Sequence, residues 1–232
     1  MRLAAIETAT AATAVAVGED DDVTEVLADD HRHHTEALAP SLAALLDARG
    51  WTPRELDVVV VDVGPGLFTG LRVGVATAKG IHVATGVGLL GVQSSDVLAQ
   101  SACEAGIEGV VIAVVDVRRG EVVAARYRCA PSGATLLDAA RLVAPAALAT
   151  ALGGLGEHVV AVGDGAMRHR DVLDEVAAVR DDLVVPSPAA AIRLARRRLA
   201  AGEAPVGHGG VHPWYAREAD AVANFAVRSA RT

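Results

Sequence analysis

Four carboxylates stand where an apolar run gives way to a loop: Glu7, Asp62, Asp116 and Asp164. Sheets with helices on their faces gather ligands at the carboxyl ends of their strands. Any two of these four could divide acid and base work. None has an obvious nucleophile or metal ligand beside it, and no Ser-His-Asp or Cys-His set is supported by spacing. His31, His33 and His34 crowd together without the i, i+4 step that helical metal ligands need. His208 and His212 have that step, but the glycines between them argue against a helix. A solvated histidine cluster is the simpler reading, and no metal site is expected.

The densest pattern runs from Val58 to Gly86, VVVVDVGPGLFTGLRVGVATAKGIHVATG. Its β-branched opening reads as a strand buried on both faces. Gly64 to Gly70 reads as a glycine loop, and a helix is expected from Leu71 to a stop at Gly86. Strand, loop and helix N-terminus together suit an anion, so Gly64, Gly66, Thr69, Gly70 and Lys79 form a candidate degenerate phosphate loop. The spacing departs from both established fingerprints. Leu71-Arg72 stands where a Walker A loop has Lys-Ser/Thr, and Gly64-x-Gly66-x-x-x-Gly70 is too long for a dinucleotide turn. A tight structural turn accounts for the glycines better. No cofactor is expected, with weak nucleotide binding as the competing reading. Lys79 is the only lysine in the chain.

The helix after the loop carries two rows of small residues, Gly70, Gly74, Ala78 and Ala76, Gly80, Ala84. Each helical glycine costs roughly 1 kcal/mol against alanine, so another backbone must come close, from this chain or another. A preceding helix from about Thr35 to Gly50 puts Leu38, Leu42, Leu45 and Leu46 on one face, with Pro40 at its first turn or a kink. Left exposed, two such helices make a docking surface. The candidate partner-interface residues are Leu38, Leu42, Leu45, Gly70, Val73, Gly74, Thr77, Ala78 and Ile81.

Other elements are expected in order. Leu3–Ile6 and Thr13–Val17 read as a hairpin, followed by a strand from Val23 to Ala28. Thr52-Pro53-Arg54-Glu55 has capping-box spacing. Leu89 to Val92 reads as a short strand before a helix capped by Ser94 or Ser95. Val110 to Val115, an Arg118-Arg119-Gly120 turn and Glu121 to Tyr127 form a second hairpin, broken at Pro131-Ser132-Gly133. A helix from Pro145 to Leu152, a strand from Val159 to Val162, and an arginine-rich helix started by Ser187-Pro188 follow. The tail after Gly207 is expected to fray. The alternation implies two related α/β layers meeting at a cleft.

The composition narrows the class. Hydrophobic residues make up 52% of the 232 and aromatics only 3%, so the core is built of Ala, Val and Leu. A net charge of −8 argues against a free-standing nucleic-acid binder. Cys103 and Cys129 give no disulfide framework, consistent with a reducing compartment. No segment reads as a signal peptide or a membrane span.

Six stretches carry a family resemblance: IETATAATAVAV, HHTEALAPSLAALL, VGPGLFTGLRVGVATAKGI, DVRRGEV, GDGA and PWYAREADA. Together they resemble TsaB, the dimerisation subunits of the bacterial machinery that makes N6-threonylcarbamoyladenosine in tRNA. Glu7 stands where that family more usually has aspartate, Leu67 where it has serine, and Ala216 interrupts its Tyr-Leu-Arg. The resemblance implies an actin-like ATPase (ribonuclease-H-like) α/β fold in two lobes, here residues 1–105 and 106–232. The C-terminal segment is expected to pack back on the first lobe. It also implies a cytoplasmic, non-catalytic subunit that pairs with the catalytic TsaD and recruits TsaE. Such a subunit meets tRNA only within the complex; the sequence leaves open whether it is a homodimer when alone. TsaD's His-x-x-x-His metal pair has no counterpart near His31 to Leu38. The competing class is an ATP-binding phosphotransferase or metallopeptidase-like enzyme of the actin-like group.

Overall fold

The described strands fall into two five-stranded sheets with one topology between them. The structure is a computed structural model describing residues 1–28 and 34–216. In the first sheet, β1 (Arg2–Glu7) and β2 (Thr13–Glu19) pair antiparallel, and β3 (Asp22–Ala28) extends the meander. β4 (Val58–Asp62) joins the other side of β1 in parallel, and β5 (Gly88–Val92) joins β4, giving the order β3-β2-β1-β4-β5. The second sheet contains β6 (Gly109–Asp116), β7 (Val122–Ala130), β8 (Gly133–Val143), β9 (Val159–Val162) and β10 (Ala178–Val179). Its order is β8-β7-β6-β9-β10 when read from the same side. Each sheet therefore has an antiparallel meander on one side of a central strand and parallel strands on the other. This repeated ribonuclease-H-like order is the two-lobed actin-like fold.

The valine run of β4 is explained by its surroundings. On one face of the first sheet lie α1 (His34–Ala48) and α2 (Phe68–Thr85), packing Leu38, Leu42, Leu45, Leu46, Val75 and Ala78 against Ile6, Val59 and Val61. On the other face α7 (Pro188–Ala200) packs Ala190, Ile192 and Ala195 against Leu3, Val58 and Val60. A strand covered on both faces needs no alternation. The second sheet is sandwiched likewise. α3 (Ser94–Glu104) covers one side, while α4 (Pro145–Gly153), α5 (Asp164–Arg168) and α6 (Arg170–Leu173) cover the other.

Several local expectations change. α2 begins at Phe68 rather than Leu71, so Thr69 and Gly70 are helical and the loop shrinks to residues 63–67. Gly86 ends the helix in the left-handed conformation, its N–H donating to the His82 carbonyl. Neither Ser94 nor Ser95 caps α3: Gln93 is the N-cap residue, and the Ser94 hydroxyl is committed elsewhere. Pro40 lies inside α1. β8 was not anticipated. The tail does not fray as far as residue 216: Val206 pairs with Leu89 at the edge of β5, Val211 is buried, and the Trp214 N–H donates to the Val63 carbonyl. Cys103 and Cys129 form a disulfide, against the reading that they are unlinked.

The two small rows of α2 separate by face. Gly70 and Gly74 point inward, where a Cβ on either would collide with the Thr8 carbonyl or hydroxyl. Gly80 points outward with nothing within 4 Å of where its Cβ would lie. Gly70→Ala is therefore expected to destabilise the fold, because the obstacle is backbone and cannot swing away. Gly80→Ala is expected to stabilise it by about 0.5–1 kcal/mol through helix propensity alone. Thermal melts of the two variants beside the parent should move in opposite directions.

Candidate functional site

The carboxylates at the strand ends are brought together in pairs, one pair per lobe. Glu7 ends β1 and Asp62 ends the neighbouring parallel β4, and both are about 2% exposed. Asp62 Oδ1 accepts from the Gly64 N–H at 2.7 Å and the Ser94 hydroxyl at 2.7 Å. Ser94 Oγ also lies 2.7 Å from the Pro65 carbonyl, across the cis Gly64–Pro65 bond. Glu7 Oε1 accepts from the Ala9 N–H at 2.7 Å. Among the described residues, Asp62 Oδ2 is buried with no hydrogen-bond partner outside the carboxyl pair itself.

Two carboxylates this close in a dry setting cannot both stay charged. Burial, then the Asp62 charge and a hydrogen bond to it, raises the Glu7 pKa well above its usual range. Burial raises Asp62 as well, but the bonds from Glu7, Gly64 and Ser94 hold it lower. Burial thus favours a proton shared within the pair, with Glu7 raised well above its usual range. The pair behaves as one buried acid–carboxylate unit fastening β1, β4, the 63–67 loop and α3.

The second lobe repeats the placement with different chemistry. Asp116 ends β6, and Asp164 follows β9. Asp164 Oδ1 accepts the Asp116 N–H at 2.9 Å, while Asp116 Oδ1 accepts the Arg118 N–H at 2.9 Å. Arg118 and Arg168 lie 3.3 and 3.6 Å from Asp116 Oδ2. Arg118 and Arg119 take the left-handed conformation, at φ 64° and 59°, in the hairpin turn anticipated from Arg118-Arg119-Gly120. Burial pushes Asp164 up to about 6 against an ordinary 3.8.

The candidate phosphate loop is not assembled. A Cβ at Gly66 would overlap the Ala9 carbonyl, so this glycine is needed for backbone packing against the β1–β2 turn. Leu67 N–H donates to that same carbonyl at 2.6 Å. Thr69 and Gly70 belong to the first turn of α2, and Gly70 rests on Thr8. Lys79 lies eleven residues beyond Phe68, about 16 Å along the helix axis, too far to share a phosphate with Gly64. The structural turn is the reading the geometry favours.

The candidate partner residues divide. Leu38, Leu42, Leu45, Gly70, Gly74 and Ala78 are buried in the chain's own core and present nothing to a partner. Val73, Thr77 and Ile81 are half-buried at the margin. The outward surface of the two helices is instead formed by Ala39, Pro40, Ala43 and Ala44 of α1 and Phe68, Arg72, Ala76, Gly80, Val83 and Ala84 of α2. At its N-terminal end Arg72 lies 3.8 Å over the Phe68 ring and donates to the Tyr215 hydroxyl at 3.0 Å. Phe68 and Tyr215 rings are 4.9 Å apart. His31 and His33 lie outside the described residues. Among the described residues no group of three or more His, Cys, Asp or Glu side chains converges as metal ligands would. No described helix is long and apolar enough to cross a membrane.

The family model "TsaD: tRNA N6-adenosine threonylcarbamoyltransferase" matches residues 27–161, more than half of the chain. The chain belongs to this family. Within it the chain is of the TsaB type, as its curated relatives indicate. It is 33% identical over 128 residues to the tRNA threonylcarbamoyladenosine biosynthesis protein TsaB of Escherichia coli, covering 55% of each chain. It is 29% identical over 129 residues to the protein of that name in Bacillus subtilis, covering 55% of this chain and 56% of that one. The chain thus spans about half the length of these relatives. A crystal structure described as an uncharacterized protein with similarity to peptidase YeaZ from Pseudomonas aeruginosa superimposes with a TM-score of 0.83. It is 25% identical and covers 93% of this chain and 99% of that one.

Three features of the TsaB-type site escaped sequence reasoning. Ser94 bonds Asp62 across a separation of 32 residues, and Thr8 donates to the Gly70 carbonyl across 62. No local pattern signals either. The Phe68–Arg72–Tyr215 stack had a faint signal, because the chain has only two residues each of Phe, Trp and Tyr. Phe68, Trp214 and Tyr215 are half of that set.

Two expectations follow from the carboxylates. Glu7→Gln should leave stability at neutral pH nearly unchanged, since the amide can donate to Asp62 and accept from Ala9. Glu7→Ala should lose about 1–3 kcal/mol by leaving a buried carboxylate unpaired. Chemical denaturation at pH 7 measures both, and equal losses would place the proton elsewhere. Asp164, with its folded pKa above the unfolded one, adds stability that is complete below about pH 4. That stability is lost as pH rises through about 6. The change amounts to roughly 2–3 kcal/mol. Asp164→Asn keeps the acceptor for the Asp116 N–H and should remove this component of the pH–stability curve.

Proposed function

We propose that this chain is an accessory, non-catalytic subunit in the biosynthesis of threonylcarbamoyladenosine in tRNA, docking a TsaD-type catalytic partner through the outward surface of α1 and α2. The observation that carries the reading is Gly80. Its conformational cost of about 1 kcal/mol is offset by no packing among the described residues, since none lies within 4 Å of where its Cβ would be. Ala76 and Ala84 are exposed one turn to either side, and Val83 is 75% exposed. A flat, small-residue surface beside exposed Ala39, Pro40, Ala43 and Ala44 suits close approach of another helix pair. The family membership supports the choice of partner, because a relative of similar fold presents similar helices.

On this reading TsaE joins the assembly of the two proteins, and tRNA is engaged by the complex in the cytoplasm rather than by this acidic chain alone. Without its partner, a second copy covers the same surface. The inward glycines set the depth of the surface but do not touch the partner.

Gly80→Leu and Val83→Arg test the proposal. Either should weaken binding of TsaD from the same cell by about ten- to a hundredfold, as overpacking at a seam does. They should also lower threonylcarbamoyladenosine formation in the reconstituted system. Ala147→Leu, an equally bulky change on exposed α4, is the control. Light scattering of each variant, alone and mixed with TsaD, reads the masses directly. Folded variants with undiminished binding would place the docking surface elsewhere.

A further inference from the structure

α3 is the helix on which the two sheets meet, and its two ends are held by different chemistry. At its N-terminus Ser94 is tied to Asp62 and the Pro65 carbonyl of the first lobe. Along its length Asp96 accepts from the Tyr127 hydroxyl at 2.7 Å, and Glu104 pairs with Arg193 of α7 at 2.6 Å. At its C-terminal turn Cys103 is bonded to Cys129 of β7. The bridge therefore adds a covalent cross-link between this helix and β7, beside the chain's own passage from α3 into β6.

The two sulfurs are placed unequally. Cys129 is 2% exposed within the apolar layer formed by Leu98, Ala102, Val111 and Tyr127, whereas Cys103 is half-buried at the rim. A small thiol can therefore approach Cys103 and not Cys129. Cys129 Sγ also lies 3.4 Å from the Ala99 carbonyl, an acceptor within range of the S–H that reduction would create. The oxidised state has a Cα–Cα separation of 5.3 Å, inside the range disulfides adopt. The reduced state has a ready hydrogen bond for the buried thiol. Both states are thus accommodated without moving β7.

We propose that Cys103–Cys129 is a reversible thiol–disulfide couple, with Cys103 as the sulfur modified by a small thiol, that sets how firmly α3 is held to the second lobe. In the reducing direction a thiolate such as glutathione's attacks Cys103 Sγ. The S–S bond breaks, and Cys129 leaves as a thiolate that takes up a proton. A second thiolate attacks the outer sulfur of the mixed disulfide, releasing the oxidised small disulfide and Cys103 as a thiol. Oxidation reverses these steps with a small disulfide as the two-electron acceptor.

The test uses the full chain equilibrated in glutathione buffers of graded oxidised-to-reduced ratio. Thiol titration under denaturing acid quench should pass from two free thiols to none across ratios that glutathione can span. A chain carrying one glutathione on Cys103, identified by peptide mass, should appear between them. The melting temperature should fall by roughly 5–10 °C on reduction, as opening a 26-residue separation predicts. Hydrogen exchange in α3 should rise with it. Cys103→Ser should show a melting temperature indifferent to the buffer, and Cys129→Ala should still accept glutathione at Cys103. Two free thiols in every buffer would overturn the proposal. A bridge that survives the most reducing buffer in the folded chain would do so too, since that bond would be structural rather than switchable. A mixed disulfide found on Cys129 would overturn the assignment of the entry sulfur.

Discussion

The turn between β1 and β2 and the first half of α2 lie closer together than side chains allow. Gly66, Gly70 and Gly74 present their bare backbone to Ala9 and Thr8, and a Cβ at any of the three would overlap an atom of that turn. Two hydrogen bonds close the contact: Thr8 Oγ1 donates to the Gly70 carbonyl at 2.8 Å, and the Leu67 N–H donates to the Ala9 carbonyl at 2.6 Å. The two helical glycines, Gly70 and Gly74, are tolerated because the approach fixes where α2 begins. It also aligns its axis across the sheet and delivers Val75 and Ala78 to the core. Every later feature of the first lobe takes its position from this contact. The buried Glu7–Asp62 pair sits at the strand ends directly behind it, and α3 is fastened to the same loop through Ser94.

That constraint also gives the glycines of the 63–67 loop and the first turns of α2 a packing role. A phosphate cradle needs backbone N–H groups aimed at empty space. Here the space before the loop is filled by the chain's own Ala9, and the Leu67 N–H is already used. A glycine-rich loop after a buried strand is thus two different things, depending on whether the adjoining turn stands off or closes in. Sequence spacing is the same in both cases.

The fold was legible where local pattern and global burial agree. The valine runs of β4, β6 and β9, the left-handed stop at Gly86 and the Ser187-Pro188 start of α7 all follow from periodicity and capping, and each lies where those rules put it. β8 was illegible for the opposite reason. Its Ala- and Leu-rich sequence has little strand propensity, most of it is exposed, and it is a strand because β7 offers an open edge. The faces of α2 were legible as two rows of small residues, but not which row faces in. That choice depends on Thr8, which lies 62 residues away from Gly70. The disulfide had no signal beyond two cysteines 26 positions apart.

The doubling of the topology gives the carboxylates their meaning. Both sheets place one carboxylate at the end of the central strand and one at or just past the end of its parallel neighbour, so the backbone dictates the positions and the surroundings dictate the chemistry. In the first lobe no ion pair to either carboxylate is present among the described residues, and burial and mutual repulsion raise the Glu7 carboxyl well above its usual range. In the second lobe Arg118 and Arg168 stand beside Asp116, which stays accompanied by positive charge while Asp164 behind it is lifted by burial. The first solution is rigid and dry, and it locks a loop to a helix. The second is open to solvent at its arginines and titrates near the physiological range. The repeated topology thus serves two ends, one lobe fixing α1 and α2 on its sheet and the other retaining a polar edge.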